Sequence, residues 1–175
     1  PEQGLPGETA WALDFDVEQP SALWVGADQG LAWLHQGRLH SAGPKGQRWS
    51  GRVSVLYADP LKPGTLWISD RVNPIVELSP NGIIQHGTDV GLPLRATTFI
   101  KRDRNGQLLA GGAEGLFQQR GEHWHRIDLG EPQRDYVSAF TEADDGTLWV
   151  ASGAVGLVRL RNGQRSVFGY NSGLS

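Results

Sequence analysis

The chain has 175 residues, with 16 lysines and arginines against 19 acidic residues and a formal net charge of −3. Because the cationic residues are spread along the sequence, we predict no basic surface for nucleic acid. The absence of cysteine excludes disulfides and thiolate metal sites and fits the periplasm as well as the cytoplasm. Apolar runs are far shorter than the roughly 20 residues of a membrane-spanning helix. With no starting methionine or signal peptide, we expect a mature or trimmed segment.

A short apolar motif recurs four times along the chain. Its copies are LWVG at 23–26, LWIS at 66–69, LLAG at 108–111 and LWVA at 148–151. The second residues of the copies are 43, 42 and 40 residues apart. A constant period of this length is typical of a repeat architecture.

Each repeat contains four short apolar segments bounded by Gly, Pro, Asn and Asp, which is typical of short strands joined by tight turns. We name the four strands a to d. They are predicted at 10–15, 23–26, 31–34 and 38–40; 53–58, 66–69, 75–78 and 83–86; 97–101, 108–111, 115–119 and 124–128; and 137–142, 148–151, 156–160 and 166–170. Four antiparallel strands in about 40 residues form one blade of a β-propeller.

The predicted fold is therefore all-β: a β-propeller segment, residues 1–175, built of four four-stranded antiparallel blades without linkers. The repeats span approximately 8–47, 48–92, 93–129 and 130–175. Strand b is apolar on both faces, so neighbouring blades must cover it. A large residue is followed two positions later by a small one, as in Trp24 and Gly26, which we expect to let neighbouring sheets approach.

An aspartate is predicted to end strand a and form the following turn in every repeat. These residues are Asp16, Asp59, Asp103 and Asp144. In repeats two to four the turn also contains a glycine, which tolerates positive φ. Because the position recurs, we interpret these acids as turn formers and not as a catalytic carboxylate pair.

The repeats combine strand a, the Asp-rich turn, Leu-Trp-Val-Ala, a Gly-Leu at the start of strand c and a closing Gly-Leu-Pro or Gly-Leu-Ser. Taken together, these features resemble the two-component regulator propeller repeat. Residues 137–175 match best. Repeat three has Leu109 in place of the tryptophan, and repeat two lacks the Gly-Leu. The resemblance covers essentially the whole chain.

This resemblance implies the periplasmic sensor region of an inner-membrane protein: a histidine kinase, hybrid two-component regulator or diguanylate cyclase. It supplies no catalytic residue and no cofactor, since the output lies in separate domains. The implied partners are a small-molecule or carbohydrate ligand, the downstream membrane-anchored signalling domains, and either further blades or a second copy of the chain. Propellers of this family usually have seven blades, so we expect a segment of a larger ring. A self-closed four-bladed ring and an eight-bladed ring shared by two chains are the alternatives.

The candidate ligand site lies on the face formed by the b-to-c turns and the d-to-a connections, if strand a is innermost. The candidate residues are Trp49, Arg52, Asp70, Arg71, Arg95, Glu114, Arg134 and Asp135. On this hypothesis Trp49 stacks on a sugar or another flat ligand, and the arginines hold an anionic group. Asp28 and Asn73 lie on the same loops. A solvated polar surface without a ligand is the alternative.

Histidines and the remaining tryptophans are assigned structural positions. His123 and His125 flank Trp124 and share one strand face, but without a third ligand nearby we expect solvent-exposed side chains and no metal. His35, His40 and His86 receive the same interpretation. Trp11, Trp33 and Trp124 are expected to pack within blades.

Three functions remain open at this stage. The first is a non-enzymatic ligand-sensing domain. The second is a propeller enzyme, a lyase or hydrolase, which needs convergent His, Glu or Tyr residues on neighbouring loops. The third is a purely structural platform for protein interactions, which would present exposed apolar loop tips.

Overall fold

The computed structural model describes residues 4–41, 43, 46, 48–70, 74–130 and 135–169. Blade one contains β1 (Ala10–Phe15), β2 (Leu23–Ala27), β3 (Gly30–His35) and β4 (Arg38–His40). Blade two contains β5 (Val55–Ala58), β6 (Leu66–Ser69), β7 (Ile75–Ser79) and β8 (Gly82–His86), followed by a 3₁₀ turn at Thr88–Val90. Blade three contains β9 (Thr97–Arg102), β10 (Leu108–Gly112), β11 (Gly115–Arg120) and β12 (His123–Ile127). Blade four contains β13 (Val137–Glu142), β14 (Leu148–Ser152), β15 (Gly156–Arg161) and β16 (Gln164–Phe168).

Within the described residues, each blade is a four-stranded antiparallel sheet whose strands follow one another in chain order. This confirms the predicted all-β fold. Strand ends differ from the prediction by one or two residues. β5 begins later than predicted because the amide of Val53 donates to the Ala27 carbonyl of blade one, at 2.9 Å. β16 begins earlier because Asn162 and Gly163 both adopt positive φ, which closes a tight hairpin.

Contacts divide the chain into two compact units, Pro1–His86 and Gly87–Ser175. The first unit contains blades one and two, and the second contains blades three and four. None of the described residues forms a helix long and apolar enough to span a membrane.

The core of the first unit joins its two blades. Trp24 and Leu31 of blade one pack in one apolar cluster with Val53 and Ile68 of blade two. Gly26 makes this approach possible, because a Cβ there would lie 2.6 Å from Val53 Cγ1 and 2.8 Å from the Val53 carbonyl oxygen. The predicted role of the small residue in strand b is confirmed at this position.

Burial of strand b differs between the two blades of the second unit. Every residue of β10 is buried, as predicted, whereas three of the five residues of β14 are half-buried.

The small residue of strand b also has a different role in blade three. The space above Gly111 is filled by Phe99 of the paired strand. Phe99 packs on Phe140 of blade four, with ring centroids 5.0 Å apart. At Gly111, therefore, the missing side chain admits an aromatic ring from the same blade.

The predicted turn-forming aspartate is confirmed in blades one to three, and in blade four a different aspartate has this role. Asp103 Oδ1 accepts a hydrogen bond from the amide of Gln107 at 2.7 Å, and the backbone places Ala143, not Asp144, at the same position of blade four. Asp145 forms the turn there, accepting from the amide of Thr147 at 3.0 Å. The prediction of Asp144 as the turn-forming aspartate of blade four is therefore wrong. The Asp-Asp-Gly sequence contains two adjacent acids and does not show which of them has this role. Its exposed carboxylate pairs with Arg104 of blade three.

Blade two carries a polar network around Trp67. The indole Nε1 donates to Asp59 Oδ2 at 3.0 Å, and the ring packs on His86 with centroids 4.9 Å apart. His86 Nε2 lies 3.3 Å from Glu77 Oε2, and Lys62 Nζ lies 2.8 Å from Glu77 Oε1. The prediction of a solvent-facing His86 is wrong: the residue is 6% exposed, because Glu77 supplies a partner inside the fold.

This network predicts acid sensitivity. The pKa of Glu77 is lowered from its ordinary value, first by hydrogen bonding to His86 and then by Lys62, while burial opposes the shift. A carboxyl whose pKa is lower in the folded state stabilises the fold above its ordinary pKa and loses that contribution as the pH falls. We expect the free energy of unfolding to fall below about pH 5, and to fall less in Glu77→Gln. Urea titrations at several pH values measure this, with the exposed Glu8→Gln as control. Parallel pH profiles for Glu77→Gln and the wild type would contradict the expectation.

Candidate ligand-binding site

Blade one places a carboxylate and an indole together at the end of the sheet where strand b turns into strand c. Because β1 and β2 are antiparallel, the start of β1 lies beside the β2–β3 turn. Asp28, in that turn, accepts hydrogen bonds from the amide of Thr9 at 3.0 Å and from Trp11 Nε1 at 2.6 Å. Both carboxylate oxygens are thereby fixed, and the Trp11 ring is held at one edge.

Arg52 lies over the face of this indole. Its guanidinium carbon is 3.9 Å from the Trp11 ring centroid, within the range of a cation–π contact. The Trp11 side chain remains 47% exposed. Arg52 reaches this position because the chain enters blade two here, where the Val53 amide is bonded to Ala27.

Two N–H donors of this region have no acceptor among the described residues. Arg52 Nε and Trp49 Nε1 are both buried, and no described atom accepts a hydrogen bond from either. Trp49 is anchored through its backbone, since its carbonyl oxygen occupies the space that a side chain on Gly30 would need. Buried donors are almost always paired in proteins, so an acceptor is expected at each of the two donors.

The cluster contains one acidic and one basic side chain. The pKa of Asp28 is lowered from its ordinary value, most strongly by the Trp11 hydrogen bond and further by Thr9 and by the Arg52 charge, against an opposing effect of burial. Asp28 is therefore ionised at neutral pH and balances part of the Arg52 charge. We call Trp11, Asp28 and Arg52 the Trp11–Arg52 cluster.

The other predicted site residues have different surroundings. Glu114 accepts a hydrogen bond from the amide of Arg95 at 3.0 Å, which ties the b-to-c turn of blade three to its strand a. Asp135 is 1% exposed and performs the same connection in blade four, accepting from Ser152 Oγ at 2.6 Å and from the Ala154 amide at 3.1 Å. Asp70 is half-buried. Arg71 and Arg134 lie outside the described residues, as does Asn73.

The structure thus brings Trp49 and Arg52 into one region of the first unit. The prediction placed Asp28 on this face without a role and assigned Trp11 to blade packing, which is wrong for that residue. Strand direction was the available signal, because the start of strand a and the b-to-c turn must lie at the same end of a blade. Trp124 is 3% exposed and does pack within its blade.

The histidines do not gather into a metal site in the part of the chain that the structure describes. His123 and His125 are both exposed, on either side of the buried Trp124. His35 is half-buried and stacks on Trp33 at 4.8 Å. These residues therefore add no ligand set to the Trp11–Arg52 cluster.

Comparison with known proteins identifies the fold. No protein-family model matches the sequence, and no curated protein matches it. Among solved structures, the chain is similar to the extracellular domain of BT3049 from B. thetaiotaomicron, assigned to a hybrid two component system, with 19% identity and a TM-score of 0.71 over 91% of this chain and 21% of that one. The extracellular domain of BT4673 from the same organism, also assigned to a hybrid two component system, gives 17% identity and a TM-score of 0.74 over 91% and 22%.

A propeller enzyme is also similar in structure. Streptogramin B lyase gives 17% identity and a TM-score of 0.68 over 94% of this chain and 56% of that one. The chain is thus a β-propeller segment, and it spans about a fifth of the length of the two extracellular domains.

Proposed function

We propose that this chain is part of the extracytoplasmic, ligand-sensing propeller of a bacterial signal-transduction receptor. The likeness to extracellular domains of two-component systems supports this proposal, together with the repeat pattern of the sequence. The ligand occupies the face of the b-to-c turns, and its binding is passed to a separate, membrane-anchored output domain. Further blades, or a second copy of the chain, complete the propeller in the periplasm.

The observation that carries the ligand site is the buried Nε–H donor of Arg52, which has no acceptor among the described residues, beside the exposed Trp11 ring. A charged guanidinium donor suits the oxygens of a carboxylate or sulfate group. The exposed indole suits the apolar face of a sugar or another flat molecule. The proposed ligand is therefore a small flat molecule or carbohydrate that carries an anionic group.

The enzyme alternative rests on the fold shared with the lyase, and a fold alone does not define a reaction. In the Trp11–Arg52 cluster, Asp28 accepts a hydrogen bond from Trp11, and Arg52 lies on the Trp11 ring. We therefore propose binding without chemistry at this site.

The test is calorimetric titration of the chain with glucuronate and galacturonate, and with glucose as the uncharged comparison. We expect the uronates to bind and glucose to bind more weakly. Arg52→Gln should weaken uronate binding about 10- to 100-fold, as expected for loss of a charge-assisted hydrogen bond. Arg38→Gln, at an exposed position of β4, is the matched control and should bind normally. Equal affinities for Arg52→Gln and the wild type, or no uronate binding at millimolar concentrations, would count against the proposed site.

A further inference from the structure

A cavity of about 340 Å³ lies between blades one and two, at the end of the strands opposite to the Trp11–Arg52 cluster. Glu18, Trp24, Trp33 and His40 of blade one contribute to its wall, with Thr65 and Pro80 from blade two. Its volume is within the range of small-molecule sites. None of the ligand-site candidates that the structure describes lines it.

The aromatic wall follows from strand register. Trp24 pairs with Trp33 across β2 and β3, and Trp33 pairs with His40 across β3 and β4. Directly opposed residues point to the same face of a sheet, so the three rings form a row facing blade two. The ring centroids of Trp24 and Trp33 are 6.2 Å apart, and those of Trp33 and His40 are 5.9 Å apart.

Two members of the row, Trp33 and Trp24, are fixed in place. Trp33 Nε1 donates to Asp16 Oδ2 at 3.0 Å, which orients the indole plane. Trp24 is 7% exposed and belongs to the apolar core shared with blade two. Blade two offers the small residues Gly64 and Ala58 opposite this wall. Large rings on one side and small residues on the other leave the space between the sheets open.

The described lining contains two carboxylates, those of Asp16 and Glu18. Asp16 Oδ1 accepts hydrogen bonds from the amides of Glu18 and Gln19. Glu18 is exposed at the rim of the cavity. Its Oε2 lies close to Gly64, because a Cβ added to Gly64 would be 3.4 Å from this oxygen. The described residues of the lining include no lysine or arginine.

The second unit offers an internal comparison. The cavity that involves blades three and four is lined by Arg120, Arg165 and Asp128, with aliphatic residues and no aromatic ring among its described lining. Arg165 pairs there with Asp128 at 3.0 Å. The acidic, indole-lined wall is therefore a property of the first unit and not a general consequence of the blade repeat.

We propose that the cavity between blades one and two binds a small organic cation: a quaternary ammonium or protonated amine on a compact apolar body. Indole faces attract such cations through their quadrupole, especially where water is excluded. The carboxylate of Glu18 at the rim supplies the counter-charge, and the apolar remainder of the lining accepts the body of the ligand. This site is separate from the Trp11–Arg52 cluster in position and in the charge of its ligand.

The test compares choline and benzyltrimethylammonium with 3,3-dimethylbutan-1-ol, the uncharged isostere of choline, by titration calorimetry on the full chain. We expect both cations to bind and the isostere to bind about tenfold more weakly than choline, in line with the size of cation–π attraction at a partly dehydrated site. Glu18→Gln is expected to weaken cation binding severalfold. Glu122→Gln, which removes the same charge from an exposed turn of the second unit, should leave it unchanged.

Two further variants separate this site from others. Trp33→Phe keeps an aromatic ring but loses the bond to Asp16, and it should weaken binding of both cations. Arg52→Gln should not affect them, since it belongs to the site of the proposed sensing function. Failure of both cations to bind, equal binding of choline and its isostere, or unchanged cation binding in Glu18→Gln would each overturn the proposal.

Discussion

Replacing Trp67 with alanine is expected to lower the free energy of unfolding of the first unit by about 3–5 kcal/mol, the usual cost of removing a fully buried aromatic side chain. Trp67 is completely buried and packs on His86. Its removal also deprives Asp59, itself completely buried, of the indole donor. Cavity formation and the loss of one hydrogen bond to Asp59 therefore add in the same variant.

Urea unfolding followed by circular dichroism measures this loss without depending on tryptophan fluorescence. The matched variant is Trp149→Ala, which occupies the same position of repeat four. Trp149 is only half-buried and contacts Phe168 at 5.7 Å, so we expect about 1–2 kcal/mol there. Trp67→Phe keeps an aromatic ring but removes the hydrogen bond and part of the buried volume, and it should cost about 1–3 kcal/mol. Equal losses at the two alanine variants would show that repeat position, and not burial, governs the effect.

Replacing Gly26 with alanine is the second change with a large expected effect, about 1–3 kcal/mol of lost stability. The added methyl group would meet both the side chain and the carbonyl oxygen of Val53. A side chain can rotate away, but the Val53 backbone cannot, because its amide is bonded to Ala27. The blades must therefore separate to admit one carbon atom.

Gly4→Ala is the control for this variant. Gly4 has no neighbour within 4 Å of the added Cβ, so its replacement should change stability by less than about 0.5 kcal/mol. Neither glycine has positive φ, and the comparison therefore measures packing without backbone strain. Thermal and urea unfolding of both variants check the difference. A loss at Gly4→Ala as large as that at Gly26→Ala would refute the packing explanation.

Local chemistry made the strands predictable. Apolar runs bounded by turn residues, repeated four times, placed every strand in the described part of the chain within one or two residues at its ends. The glycines of the a-to-b turns, such as Gly64 and Gly106, do adopt positive φ. The one turn aspartate assigned wrongly, Asp144, failed because two adjacent acids offer the same local chemistry and only the backbone pairing of Ala143 with Thr147 selects between them.

The candidate site was predictable only in part. Loop topology predicted that Trp49 and Arg52 lie on the face of the b-to-c turns, but the partners of each residue depend on distances across blades. Glu114 lies in a b-to-c turn and Asp135 in a d-to-a connection, yet both bind backbone amides of their own blades, and only Asp135 is buried. Trp11 shows the opposite case. A tryptophan in a strand is expected to pack within its blade, and only the tertiary structure shows that Arg52 lies on the face of the Trp11 ring.

The sequence by itself determined the repeat, the all-β character, the four strands of each blade and the burial of strand b in blades one to three, because these follow from patterns within a few residues. Only the tertiary structure decided which polar groups are paired and where space remains between sheets. His86 is buried because Glu77 faces it, and the cavity beside Trp33 is open because Gly64 and Ala58 lie opposite. Such outcomes depend on side chains from different strands meeting, and a pattern read along one strand does not contain them.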